Sequence, residues 1–384
     1  MFWEEMQRFH EIAKRDFING EEGDAAFKYI RSKLEDDWDN NESRDHPMRK
    51  WVSWASKDQY DRLILLARKL KSLDEVPNAN ERIKRLTNQR EFDGAMAELE
   101  IAFRLKIAGF FVSFVPESQE NSSPDLKIEI NGRKYWIEVS SVAPRKGHEL
   151  EDILINRLLN LMFQLSISHK LMLRFSVVAP PRDKKDLQSI ITQLNEASTR
   201  AINERKFQIV PIEGKMIVYI APPEDVDKIP EDLRLGSYKH DPQPKQHLEL
   251  LLRKIRKKGF KKYSQSDKGF LAIVDPFCGA KEVKRIMDSP GDDLRMLMRT
   301  FPDLMGMALI IQSGLDQNEL QNVIPRSDRK GFDFYSLPHS ECEGMILWEN
   351  EINILPNEIR EAFLAYPRNL ELFIDRFNKK PIIN

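Results

Sequence analysis

Two runs of alternating apolar and polar residues meet at Asn131-Gly132. From Asp125 to Ile130 and again from Arg133 to Ser140 every second side chain is apolar or aromatic, the period of a half-buried strand. Asn-Gly is the preferred pair for a two-residue type I′ turn, because both central positions need positive φ. With such a turn Ile130 faces Arg133, and counting outward sets Asp125 opposite Glu138. Opposed residues on an antiparallel pair have Cβ atoms about 5 Å apart and point to one face. Leu126, Ile128, Ile130, Tyr135, Ile137 and Val139 form an apolar face; Asp125, Lys127, Glu129, Lys134, Trp136, Glu138 and Ser140 form the other.

Around this hairpin the pattern alternates between helical and strand periods. Residues 1 to 90 read as helices, over Phe2 to Phe17, Asp24 to Trp38, Trp51 to Trp54 and Gln59 to Leu73, with the polar stretch from Leu73 to Arg90 as a connection. Residues 94 to 109 predict an apolar helix ending at Gly109, followed by a strand from Phe110 to Val115. Beyond the hairpin come a helix over Glu149 to Leu165 and a strand over Lys170 to Ala179, stopped by Pro180-Pro181. Further on, a helix over Leu187 to Asn203 precedes the run Met216 to Ile220. A helix from His247 to Lys262 then precedes Phe270 to Val274, with another buried run over Met305 to Ile311. Three segments follow: an N-terminal helical region over 1–90, a core over 91–180 and a C-terminal α/β extension over 181–384, which either continues the core sheet or builds a second one.

The acids then change the picture. Two carboxylates placed directly opposite each other repel, and a divalent cation is a common compensation; the alternative is a solvated face on which Lys127 and Lys134 neutralise their neighbours. Glu98 shares the helical stripe of Ala102, Leu105 and Gly109, so it is expected to point inward, whereas Glu100 lies four residues before Arg104 and is expected to pair with it at the surface. A buried carboxylate needs a partner, a raised pKa or a metal.

A helix with an inward acid, a strand, Pro124-Asp125 on a second strand and Glu138-Val139-Ser140 on a third resemble, in that order, the PD-(D/E)XK nuclease superfamily. The resemblance covers roughly residues 94 to 180. It implies a restriction-endonuclease-like α/β fold with a mixed sheet flanked by helices. It also implies Mg2+ or Mn2+ held by Asp125, Glu138 and the carbonyl of Val139 with support from Glu98, and a nuclease acting on DNA, in a setting such as restriction or phage defence. Ser140 stands where that family has its water-positioning lysine. Lys127, two residues from Asp125 on the same face, is the leading substitute. A fold of this kind that has lost turnover and serves as a nucleic-acid- or protein-binding module is the alternative.

Composition narrows the rest. At 384 residues with 41% hydrophobic and 32% charged, the chain is long enough to bury a sizeable core and is not disordered or fibrous. Sixty basic against sixty-one acidic residues leave no global field for nucleic acid, so any contact comes from a local patch. The densest is Lys245, Arg253, Lys254, Arg256, Lys257, Lys258, Lys261 and Lys262, with Phe260 and Tyr263 interleaved, read either as a phosphate-binding stripe or as a solvated helix face. No signal peptide or membrane span is legible, which leads to the expectation of a cytoplasmic chain. Cys278 and Cys342 are too few for a disulfide framework or thiolate zinc site. His10 and His46 lack further ligands at metal spacing. The N-terminal helices offer a surface for a protein partner, and self-association is left open.

Overall fold

Both turn residues of the hairpin take positive φ, Asn131 at 51° and Gly132 at 75°, the backbone that the Asn-Gly pair predicts. The structure is a computed structural model that describes residues 20–34, 46–48, 57–116, 123–142, 168–177, 181–229, 268–275, 298–301, 303–312, 332–336, 342–350 and 352–378, with isolated positions at 3, 4, 7, 154, 157, 158, 161, 162 and 165. The expected helix over Phe2 to Phe17, the segment Trp51 to Trp54, and the basic run from Lys245 to Lys262 lie outside the described residues or almost wholly so.

In chain order, α1 (Gly20–Leu34), α2 (Lys57–Leu73), α3 (Ala79–Lys84), a 3-10 turn (Arg85–Thr87) and α4 (Phe92–Ile107) precede β1 (Val112–Phe114), β2 (Leu126–Ile130) and β3 (Arg133–Ser141). Next come β4 (Met172–Val177), α5 (Lys184–Glu204), β5 (Gln208–Ile212) and β6 (Met216–Ala221). The chain closes with β7 (Gly269–Asp275), β8 (Leu304–Ile311), β9 (Phe332–Ser336), β10 (Cys342–Glu349), α6 (Asn357–Leu364) and α7 (Tyr366–Asn378). Among the described residues no helix is long and apolar enough to cross a membrane.

Two compact units result, one made of 1–40, 55–143 and 241–384, the other of 41–54 and 144–240. The first holds a seven-stranded mixed sheet in the order β1-β2-β3-β7-β8-β10-β9, in which β3, β7 and β8 run parallel and the outer pairs are antiparallel. Every residue of β7 and β8 is buried. Central parallel strands covered on both faces read as continuous apolar runs, and these are the runs seen at Phe270 to Val274 and Met305 to Ile311. Within β8, Gly306 is required by close approach, since a Cβ there would meet the Trp348 carbonyl at 2.7 Å.

The second unit has its own core. Its three-stranded antiparallel sheet, in the order β4-β6-β5, packs Leu173, Val210, Met216 and Val218 against Leu187, Ile190, Leu194 and Ala197 of α5 and against Leu154, Leu158 and Met162. The last three lie on the apolar stripe expected for the helix over Glu149 to Leu165. The strand expected at Lys170 to Ala179 is β4, yet it does not complete the sheet of the hairpin: it pairs with β6, and the strand beside β3 is β7. Alternation gives a strand's faces but not its partner.

Helix α4 ends as its sequence directs. Gly109, at φ 94°, donates its amide to Lys106 O at 2.9 Å, and Phe110 donates to Leu105 O at 3.1 Å. These are the two bonds of a Schellman motif, with glycine at its left-handed position. Two other expectations fail. Helix α1 begins at Gly20 and not at Asp24, which sits inside it, buried and paired with Lys28 at 2.8 Å. The stretch from Leu73 to Arg90 is not a plain connection: it contains α3 and the 3-10 turn after it, with Ala79, Ile83 and Leu86 buried.

Glu100 pairs with Arg104 as expected, but not at the surface. Arg104 is fully buried; its Nε donates to Glu100 Oε1 at 2.7 Å, its Nη2 bonds Glu343 on β10, and its guanidinium lies 3.7 Å from the centre of the Tyr366 ring. Lys69 on α2 reaches the other Glu100 oxygen at 2.5 Å, and Gln312 donates to Glu343 at 3.0 Å. The cluster ties α2, α4, β10 and α7 around one charge-balanced centre. Burial alone would push the Glu100 carboxyl up, but the charges and hydrogen bonds of Lys69 and Arg104 outweigh it and bring the group down to about 2.

A carboxylate depressed in the folded state stabilises fully above its ordinary value and loses that contribution as pH falls through its folded value. Folding stability is therefore expected to drop between about pH 4.5 and about pH 2 by an amount on the order of 3 kcal/mol from this one group. Denaturant titrations across that window check it, and Glu100→Gln should flatten this part of the pH profile while lowering stability at pH 7.

Candidate metal centre

In a two-residue hairpin, Ile130–Arg133, Ile128–Tyr135 and Leu126–Ile137 are the hydrogen-bonded pairs, and the observed register contains all three. The next such pair would be Pro124 with Val139. Proline has no N–H to give the Val139 carbonyl, and the ladder stops there. The Val139 amide is taken instead by the side chain of Asp125, whose Oδ2 accepts at 2.7 Å. On its other edge the Asp125 carbonyl accepts from Val115 N at 3.0 Å, continuing the pairing of β1 with β2. Asp125 is thus held by β1 through its backbone and by β3 through its side chain.

The observed register ends at Leu126–Ile137; the sequence count that sets Asp125 opposite Glu138 lies one step beyond it, where the contact seen is the Asp125 carboxylate on the Val139 amide. Glu138 is fully buried and Asp125 partly exposed, so access to the pair runs past Asp125. By the sequence count the corner offers two carboxylates and, next to Glu138 in the chain, the Val139 carbonyl, to which Pro124 has no N–H to give. All three are hard oxygen donors, the set that Mg2+ and Mn2+ prefer.

Glu98 is buried, as its place on the stripe predicts, but it does not join this corner. Its Oε2 meets Arg82 Nε at 3.1 Å and its Oε1 meets Arg85 Nη1 at 3.3 Å. The reason is the side of the sheet on which α4 lies. Arg104 of α4 reaches Glu343, and the cross-strand registers place Glu343 on the face of Ile137 and Val139, opposite to that of Asp125 and Glu138. Glu98 still acts on the site indirectly. Arg82, which it anchors, donates to the Val115 carbonyl at 2.9 Å, and Val115 is the residue whose amide holds the Asp125 backbone. Among the described residues, no three acids, histidines or cysteines come together as a metal-ligating group.

Lys127 lies opposite Trp136 on the Asp125 face, both partly exposed. Ser140 is buried two residues past Glu138. Asp275, buried at the end of β7, shares that face, but it lies about four residues further along, roughly 13 Å at the rise of a strand. His46 is an ordinary buried histidine whose Nδ1 accepts from the Met48 amide at 3.1 Å. Sequence reasoning missed Arg82 and Arg85, which look like solvated residues of a polar connection; the signal was Glu98 itself, an acid on an apolar stripe that called for cationic partners. An open groove of about 430 Å³ between the end of α4 and α6, lined by Gly109, Phe110, Glu358 and Ala362 among others, contains neither acid of the pair.

No family model, curated protein or solved structure is similar to this chain.

If the Asp125 carboxylate is what satisfies Val139, Asp125→Ala should leave that amide without its acceptor. Hydrogen exchange at Val139 is expected to accelerate by tenfold or more while Ile128 and Tyr135 in the middle of the hairpin keep their protection. A cost of about 1–3 kcal/mol in stability should accompany it.

Proposed function

We propose that the chain is a metal-dependent phosphodiesterase of the PD-(D/E)XK type acting on nucleic acid, DNA first of all, in a restriction- or defence-like role. The observation that carries this reading is the Pro124-Asp125 corner, where the hairpin ladder ends at Leu126–Ile137, the Asp125 carboxylate accepts from the Val139 amide, and Glu138 lies buried one residue before Val139. Supporting it is the order α4, β1, β2, β3 with a further strand, β7, parallel beside β3, an order compatible with a restriction-endonuclease-like core into which a separate unit is inserted between β3 and β7.

In this reading Asp125, Glu138 and the Val139 carbonyl hold a Mg2+ or Mn2+ ion. Such an ion, when bound, supplies hydroxide at neutral pH and neutralises charge on the phosphate. The chain's residues do the rest. Val139 N–H keeps one Asp125 oxygen oriented, Glu98 and Arg82 hold the end of β1 under Asp125, and Lys127 orients the attacking water from the same face in place of the lysine absent at 140. The basic run from Lys245 to Lys262 supplies phosphate contacts.

A second reading has a specific basis of its own: with serine at 140 and the helix acid Glu98 committed to two arginines, the fold serves as a binding module without turnover.

Calorimetric titration with Mn2+ is expected to show a site in the wild type that Asp125→Ala abolishes. Mg2+-dependent cleavage of single-stranded DNA, duplex DNA and RNA separates the two readings. The nuclease should cut at least one of them, with Asp125→Ala and Glu138→Ala each slower by roughly a hundredfold or more and Lys127→Ala impaired. A wild type inert on all three, awakened by Ser140→Lys, would establish the binding module instead.

A further inference from the structure

The face that carries the acid pair continues along the hairpin as an ordered strip. Beside Asp125 and Glu138 comes the cross-strand pair Lys127 and Trp136, then Glu129 and Lys134. Burial falls steadily in that direction. Glu138 is fully buried, Lys127 and Trp136 are partly exposed, and Glu129 and Lys134 are exposed. The strip is therefore a slope leading from solvent down to the acids, with one aromatic ring and one cation side by side halfway.

Trp136 does not behave as a core tryptophan. The apolar residues of the hairpin, Leu126, Ile128 and Ile137, point the other way and fill the core. Trp136 alone puts a large aromatic on the polar face, and its indole N–H carries no hydrogen bond among the described residues, where folded interiors normally satisfy that group. Its amide donates to Lys268 O at 3.2 Å on the β7 side, and Lys127 stands across from it on β2 as a non-hydrogen-bonded pair, the kind whose side chains lie closer. An indole standing on such a slope offers a flat surface on which one base can stack. Two residues of strand separate the pair from Asp125 and Glu138, about 7 Å, on the order of one nucleotide step in an extended strand.

We infer that Trp136 stacks on the base of the nucleotide next to the reacting phosphate, and that the substrate is a single-stranded or unpaired segment of nucleic acid. In a duplex both faces of a base are already covered by its neighbours, so an indole can stack only on a base that has left the stack. The inference rests on the nuclease reading only in taking Asp125 and Glu138 as the place of the phosphodiester.

The test measures binding and cleavage separately on the full chain. Anisotropy of a labelled oligothymidine and of a duplex of equal length, in EDTA at fixed salt, is followed for wild type, Trp136→Leu and Trp136→Phe, each first shown to keep the wild-type circular dichroism and Tm. Leucine fills the space without stacking, and phenylalanine keeps a ring. Trp136→Leu should bind the single strand roughly tenfold or more weakly with less than about twofold change on the duplex, and Trp136→Phe should recover most of the loss. Equal single-strand affinity in wild type and Trp136→Leu, or an equal loss on both substrates, overturns the inference. If cleavage is absent but the selective loss is seen, the stacking site stands and the nuclease reading falls. Metal-dependent cleavage with an unaltered single-strand preference in Trp136→Leu gives the reverse.

Discussion

The first unit depends on a single buried cation. Arg104 enters the space between α4, β10 and α7 with no exposed surface, and a guanidinium there is tolerable only because Glu100, Glu343 and the Tyr366 ring surround it. Lys69 balances the second acid charge from α2. Such clusters are poor sources of net stability, since desolvation consumes much of the Coulombic gain. They are demanding about geometry, however: removing any one member leaves its neighbours charged and dry. The helices over the Ile137 face of the sheet are therefore locked in one arrangement, which apolar packing alone, through Phe103, Phe270 and Phe363, would specify less sharply.

That lock extends to the candidate site by a short chain of contacts. Glu98 lies two residues from Glu100 on the same helix, and through Arg82 it holds the carbonyl of Val115. Val115 in turn holds Asp125. The helix acid thus positions the strand acid through a guanidinium and a backbone amide, across the edge of the sheet, although the two side chains belong to opposite faces.

How much of this could be read from the residues differs by kind of signal. The hairpin was legible to the residue because Asn131-Gly132 specifies its own backbone and the alternation admits one register. Helix α4 with its stop at Gly109, and the buried runs of β7 and β8, were legible for the same local reasons. Sheet membership was not: β4 alternates as well as β2 does, and nothing within a strand names its neighbour. Arg82 and Arg85 were misread because a charged residue in a polar stretch looks alike whether it faces water or a buried acid. Helices α6 and α7 and strands β5, β9 and β10 were not anticipated; β5 contains Pro211, which demotes a run in any reading by propensity. At the site, counting leads to the end of the observed register beside Asp125 and Glu138, whereas the direction of Glu98 depended on which side of the sheet its helix packs, information that periodicity does not contain.

The position of the second unit bears on how the chain comes to its final state. Strand β3 pairs with β7 from Trp136–Gly269 to Ser141–Val274, so the two edges are separated by about 130 residues of chain, and closing so long a flexible loop carries an entropic cost that grows with its length. An intervening segment that folds around its own apolar centre shortens the effective loop before the edges meet. During synthesis from the N-terminus the hairpin emerges first, and its outer edge waits on the order of ten seconds for β7 at ordinary elongation rates. Through that interval β3 is an open edge, the kind of surface that recruits foreign strands, and the charged residues at its exposed end, Arg133 and Lys134, stand where such pairing would begin.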